Sequence, residues 1–167
     1  PDVCKDFSAS DDGRRFTFTM REGMKYSDGT NLDINSVLFA AEGINHNTEK
    51  NPRGQAWMKD DITDNMADFD IIDDLTWTYT FDTPNYSFGE SGTRGQYCRG
   101  WCLYASEKHK ELVPGYADAA KLDAMIKEID LEDWVSHFKT RLSVHTRHSR
   151  MYPALGPYAQ QEGTSTG

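Results

Sequence analysis

Two cysteines four positions apart, Cys98 and Cys102, are the strongest candidates for metal-binding or thiol chemistry. Their thiolates could supply half of a tetrahedral zinc site, but such a site usually needs a second ligand pair, and the nearest histidine is His109. The same spacing suits a local disulfide or two free thiols, and both alternatives are structural. With Cys4 the cysteine count is odd, so it assigns neither an oxidising nor a reducing compartment.

The remaining histidines and carboxylates match metal-binding patterns poorly. His145 and His148 lie in "RLSVHTRHSR", where neighbouring arginines disfavour a bound cation. The acidic stretch near the middle of the chain lacks the D-x-D-x-D-G spacing of a calcium loop, so we predict that it forms a solvated face. Its aspartates are Asp60, Asp61, Asp64, Asp68 and Asp70. No nucleophile, base and orienting group can be assembled, so the sequence predicts neither an enzyme nor a cofactor.

Aromatic residues in a glycine-rich stretch are better candidates for contacts with a ligand. Tyr97, Trp101 and Tyr104 lie in and just after "NYSFGESGTRGQYCRGWC", which shows no sustained period. Aromatic side chains on loops are common in ligand clefts. We therefore take Tyr97 and Trp101 as candidate ligand-binding residues, and the alternative is that they pack beneath the loop.

Two stretches of alternating residues predict the strands that position these loops. In "RRFTFTMREGMKYSDGT", Phe16, Phe18 and Met20 alternate with polar residues, a turn follows, and Met24 and Tyr26 resume the alternation as a second strand. The stretch "ADFDIIDDLTWTYTFDTP" predicts another hairpin, with its turn at the paired aspartates. The sequence thus predicts a small antiparallel sheet of two hairpins.

Helical periods predict one helix packed on this sheet and a helical layer after it. Asp33 is a candidate N-cap for a helix over residues 34–45, and a short helix is predicted near Trp57. Ser106 is the candidate cap of the first later helix, and apolar spacing predicts two more over residues 122–129 and 131–138. The predicted fold class is α+β.

Length and charge limit the classes of function. The chain has 167 residues, enough for one domain with its own core. Its net charge of -9 is spread along the sequence, which argues against nucleic acid and against an anionic membrane surface as partners. No run approaches the roughly 18 apolar residues of a spanning helix, so we expect no direct membrane span and place any export signal outside this sequence.

Several of these motifs together resemble the extracytoplasmic solute-binding proteins that serve ABC importers for peptides, nickel and some oligosaccharides (family 5). The resemblance rests first on "SDDGRRFTFTMREGMKYSDGT", "VLFAAE" and "DDLTWTYTFDTP". "YASEKHKELVPGYADAAKLDAMIKEIDLEDWVSHF" is similar to later helices of that family, and "PALGPY" to its return segment. Tyr158, which ends "PALGPY", is the third candidate ligand-binding residue.

The resemblance implies a fragment, because members of this family typically run to several hundred residues and close two lobes on a ligand. Residues 1–158 would form a single subdomain of the first lobe of a periplasmic-binding-protein type II-like fold, and residues 159–167 a disordered tail. The implied function is capture of a small solute, a peptide or an oligosaccharide, and its delivery to the membrane permease of an ABC importer. The implied location is periplasmic or extracellular, with a lipid anchor outside this fragment.

Two other classes of function remain open from the residues. One is a stand-alone, non-catalytic interaction domain with this subdomain fold, and a hydrophobic surface where a missing lobe would dock would count against it. The other is a metal-dependent enzyme that uses the cysteines and histidines, which stoichiometric zinc would support. The sequence itself does not identify the ligand or the transporter.

Overall fold

A four-stranded antiparallel sheet forms the centre of the structure, a computed structural model that describes residues 3–50, 52, 56–88, 106–142 and 152–153. Its strands are β1 (Cys4–Ala9), β2 (Arg15–Met20), β3 (Asp68–Asp73) and β4 (Thr76–Thr80). They lie in the order β1-β2-β4-β3, and each neighbouring pair is antiparallel. The mixture of this sheet with helices confirms the α+β class.

The two central strands contribute most of the aromatic core. Phe16 and Phe18 of β2 lie opposite Tyr79 and Trp77 of β4, and all four side chains are buried on one face of the sheet. The Phe18 and Trp77 rings stack with centroids 5.7 Å apart. Threonines occupy the alternate positions of both strands, which is the period-2 pattern that the sequence predicts.

The first predicted hairpin was wrong in its pairing, although the second was confirmed. Strand β2 pairs with β1, whereas the stretch around Met24 and Tyr26 forms only an isolated bridge between Lys25 and Asn31. Strand β1 lies at the edge of the sheet, and most of its side chains are exposed, so it carries no clear alternation. The turn that joins β1 to β2 uses Gly13 at a φ of 67°, a conformation that favours glycine.

The predicted helix over residues 34–45 is present, but its second half has a different winding. Helix α1 (Ile34–Phe39) begins after Asp33, whose carboxylate accepts a hydrogen bond of 3.0 Å from the Ser36 amide. The chain then continues as a π-helix over Ala40–Asn45. A Cβ atom at Gly43 would lie 2.8 Å from the Phe39 ring, so close packing along this helix requires glycine there. The short helix predicted near Trp57 is a 3-10 turn, Ala56–Met58.

Three further helices form the predicted helical layer: α2 (Glu107–Lys110), α3 (Ala119–Glu128) and α4 (Trp134–Leu142). Their buried apolar residues belong to the same core cluster as those of the sheet. The indole N–H of Trp134 donates a 2.6 Å hydrogen bond to Glu49, which joins α4 to the segment after the π-helix. No helix in the described ranges is both long and apolar enough to cross a bilayer.

Candidate ligand-binding site

The three residues predicted to bind a ligand, Tyr97, Trp101 and Tyr158, lie outside the described residues. The same is true of Cys98 and Cys102, and of the histidine pair His145 and His148. The predictions made for these residues therefore stay predictions. The proposed boundary between a subdomain at 1–158 and a tail at 159–167 also falls outside the described part.

Cys4 is disulfide-bonded, and its partner lies outside the described residues. The side chain is buried at the start of β1, where Cys4 pairs with Met20 in the sheet.

The acidic stretch is a solvated face with one exception. Asp61, Asp64, Asp68 and Asp70 are exposed, as predicted, whereas Asp60 is only 2% exposed. In the described part of the chain no three His, Cys, Asp or Glu side chains converge as a metal site.

Asp60 is buried because it holds two loops together. Its carboxylate accepts from the amides of Ile62 and Thr63 at 2.9 and 3.0 Å, and from the amide of Thr83 at 2.6 Å. The Thr83 hydroxyl donates to it as well. Burial alone would raise the pKa of this carboxyl, but the hydrogen bonds hold the pKa well below its usual range. Asp60 is thus a structural anion at a turn, and sequence spacing could not separate it from its exposed neighbours.

Ser106 and His109 form a serine–histidine pair at the start of α2. The Ser106 hydroxyl lies 2.7 Å from His109 Nδ1, and the Ser106 amide donates to the same nitrogen at 3.3 Å. Both residues are buried, so the hydroxyl is not presented to a substrate. Burial lowers the pKa of His109 to about 4, against the raising effect of the Asp28 carboxylate, which makes the ring a weak base. The pair is a capping box that begins a helix.

A partly open cavity of about 530 Å³ lies among the three helices of the layer. We call it the helical-layer cavity, and its lining is Lys108, Glu111, Lys121, Met125, Glu128, Arg141 and Tyr152. Its volume falls within the roughly 300–1,000 Å³ of ordinary small-molecule sites. The helical-layer cavity is therefore large enough to hold a small ligand.

The charges around the helical-layer cavity are arranged in two ion pairs and one further cation. Lys121 lies 2.8 Å from Glu111, and Arg141 lies 3.3 Å from Glu128. Lys108 is the third cation of the lining, and within the described residues no ion pair involves it. The lining thus has three cations and two carboxylates, and Asp28, which is not part of the lining, is near enough for the Lys108 charge to help lower its pKa.

Arg141 and Tyr152 form the inner wall of the helical-layer cavity. The Arg141 side chain is 5% exposed, and its Nε donates to His137 Nε2 at 3.0 Å, which fixes the guanidinium. The Tyr152 ring lies over His109 with centroids 5.4 Å apart. Burial raises the pKa of the Tyr152 hydroxyl, the Arg141 charge opposes that rise, and the Glu111 and Glu128 carboxylates add to it, so the phenol is neutral at physiological pH.

Sequence reasoning missed the helical-layer cavity. Two features of the sequence could have indicated part of this cavity. Glu128 and Arg141 lie on successive predicted helices, and cationic residues lie on the helical surface of an otherwise acidic chain. The segment that carries Tyr152 shows no period, so nothing in the sequence indicates that this ring closes the cavity wall.

The fold places the chain in the class of periplasmic-binding-protein-type subdomains. The structure of "oligopeptide-binding protein OppA" aligns with a TM-score of 0.68 at 20% identity over 94% of this chain. The chain belongs to a family within that class: the model described as "Bacterial extracellular solute-binding proteins, family 5 Middle" matches residues 1–121. The family prediction made from the sequence is confirmed.

Other solved structures align over a smaller part of this chain. CtaP from Listeria monocytogenes, an ABC transporter substrate-binding protein, aligns at 22% identity over 66% of this chain and 23% of its own, with a TM-score of 0.49. MelB from Agrobacterium fabrum C58, solved with stachyose, aligns at 23% identity over 71% of this chain and 17% of its own, with a TM-score of 0.48. Comparison with curated proteins gives no match.

This chain spans about a quarter or less of the length of these structures, and 23% of OppA. A solute-binding protein of that size therefore contains far more than the unit described by this chain. What the whole protein binds and with what it assembles are matters for proposal.

Proposed function

We propose that this chain is part of an ABC-transporter substrate-binding protein that captures peptides or similar small solutes outside the cytoplasmic membrane. The observation that carries the proposal is the family match over residues 1–121, joined to an OppA-like fold over 94% of the chain. The protein would deliver its solute to the membrane permease of an ABC importer and carry out no chemistry on it. A lipid anchor outside this fragment would hold it at the membrane.

Peptides are the first class of solute to test, because OppA, which aligns with a TM-score of 0.68, is described as an oligopeptide-binding protein. Oligosaccharides are the second class in the proposal. Tyr97, Trp101 and Tyr158 are the proposed ligand contacts, and residues 1–158 the proposed subdomain.

A thermal-shift panel tests whether this chain holds part of the ligand pocket. Di- to pentapeptides and small oligosaccharides are added to the full chain, and a ligand that binds only the folded state raises the melting temperature. We expect a shift with at least one peptide, and Trp101→Ala and Tyr97→Ala weaken that binding about fivefold or more. Tyr86→Ala is the matched control, because Tyr86 is 74% exposed and is not among the proposed contacts.

If the chain unfolds cooperatively and no solute changes its melting temperature, that result would contradict ligand binding by this chain. Equal losses in Tyr86→Ala and in the site variants would contradict the assignment of Tyr97 and Trp101. A partner protein that binds the chain with a flat solute panel would favour the stand-alone interaction domain instead.

A further inference from the structure

The helical-layer cavity has a charge and a wall that nothing in the solute-capture function explains. We propose that it is a second binding site, for a small carboxylate with an apolar or aromatic body. The proposal rests on the described side chains of α2, α3, α4 and Tyr152, and it does not depend on the proposed function.

The charge balance favours a monoanion as the occupant. Within each of the ion pairs Lys121–Glu111 and Arg141–Glu128 the two charges offset each other, and Lys108, whose charge also acts on Asp28, is the third cation. The lining therefore offers a cation to a carboxylate ligand, whereas both of its own carboxylates are already paired and do not favour a metal cation.

Arg141 makes the site preorganised. Its guanidinium is held by His137 at 3.0 Å and is almost fully buried, so little side-chain entropy remains to be lost when an anion approaches. The Glu128 carboxylate that faces it is 69% exposed, so this partner reaches the guanidinium from the solvent side. A ligand carboxylate at the mouth of the cavity would meet Lys108 and the Arg141–Glu128 pair together.

The apolar part of the ligand is specified by the other lining residues. Met125 is half-buried in α3, and thioethers adapt to aromatic and aliphatic surfaces. Tyr152 presents a ring that already packs, tilted by 36°, against His109 with centroids 5.4 Å apart. The volume of about 530 Å³ exceeds what an inorganic anion needs, so an organic body fits the space better than phosphate does.

The probe pair is 3-phenylpropionate and its neutral analogue 3-phenylpropionamide, tested by isothermal titration and by amide chemical shifts on the full chain. We expect the acid to bind about fivefold or more tightly than the amide and to weaken with added salt, because one charge interaction is lost in the amide. N-acetyl-glycyl-phenylalanine, with its free carboxylate, then distinguishes a peptide C-terminus from a free small acid. Equal affinity of acid and amide, or no binding of either, would overturn the proposal.

Lys108→Met removes the third cation of the cavity lining. Lys127→Met is the matched control, because Lys127 is exposed on α3 and does not line the cavity. We expect Lys108→Met to weaken the acid about fivefold and Lys127→Met to leave it unchanged. Met125→Trp fills the cavity and abolishes binding while the chain stays folded by circular dichroism. Equal losses of affinity in both lysine variants would mean that the effect comes from the net charge of the chain, and that result would refute the site.

The outcomes separate this site from solute capture. Trp101→Ala leaves binding of 3-phenylpropionate unchanged if the two sites are distinct. If no peptide changes the melting temperature but 3-phenylpropionate still binds, only the proposed solute capture is refuted. If a peptide binds but 3-phenylpropionate does not, only the carboxylate site is refuted.

Discussion

His109 makes the stability of this protein depend on pH in a window that can be calculated. Its imidazole is fully buried under Tyr152 and beside Ser106, and burial lowers its pKa from 6.5 to about 4. Between these two values the unfolded chain binds a proton that the folded chain does not, so stability falls as pH falls through the window. Above pH 7 the ring is neutral in both states and contributes no pH dependence.

The size of this effect follows from the shift. Because the pKa of His109 is lowered from 6.5 to about 4, the free energy of unfolding falls by about 2 kcal/mol between pH 7 and pH 5 and by about 3 kcal/mol between pH 7 and pH 4. The Asp28 carboxylate acts on the ring and opposes the effect of burial on the His109 pKa, and the Tyr152 ring packs against the imidazole. Asp28 has a lowered pKa, so its own contribution is present above pH 3.8 and is lost below that range, outside most of the His109 window.

His109→Gln is the variant that isolates the titration. Glutamine at this position completes an ordinary S-x-x-Q capping box with Ser106 and cannot be protonated. We expect urea unfolding of the variant to lose about 2 kcal/mol less stability than wild type between pH 7 and pH 5. Parallel pH profiles of the two proteins would refute the reasoning, whatever the difference in their stability at pH 7.

Three other substitutions test the packing. Gly43→Ala places a Cβ atom 2.8 Å from the Phe39 ring, so urea unfolding should show a loss of about 1–3 kcal/mol, and an unchanged midpoint would contradict this packing. Cys4→Ser removes the disulfide and should cost about 2–5 kcal/mol, with the wild type falling to the same melting temperature in reductant. Asp60→Asn should lower the thermal midpoint more than Asp61→Asn, because only Asp60 accepts amide hydrogen bonds from two loops; equal midpoints would argue against that role.

The central part of the fold could be predicted because its signals are local. The alternation of Phe16 and Phe18, the aspartate cap of α1 and the hairpin around Trp77 each follow from residues a few positions apart. Strand β1 could not be predicted, because an edge strand with exposed side chains has no alternation to read. Because β1 and β2 pair across a turn, with partners about ten residues apart, the sequence did not distinguish β1 from the neighbouring stretch around Tyr26 as the partner of β2.

The π-helical winding of residues 40–45 could not be predicted from the sequence. Apolar spacing predicts helix over this range but does not distinguish α from π winding. Gly43 lies against the Phe39 ring of the preceding turn, and the Tyr116 ring, from far along the chain, packs edge-on against Phe39 with centroids 4.7 Å apart. Sequence periodicity therefore predicts the element and its length, while its winding and its contact with Tyr116 are seen only in the structure.

The helical-layer cavity shows the same limit for function. Its lining residues come from three helices, from Glu111 just after α2 and from Tyr152, so the lining extends from position 108 to position 152 and no short motif contains it. Family resemblance does not indicate it either, because that resemblance concerns the motifs of the sheet and helices, whereas the cavity depends on which charges happen to face one another. A site of this kind is predictable only from side-chain geometry. Binding by residues 97, 101 and 158 is a prediction from loop position and resemblance, so the two proposals rest on independent kinds of reasoning and one can fail without the other.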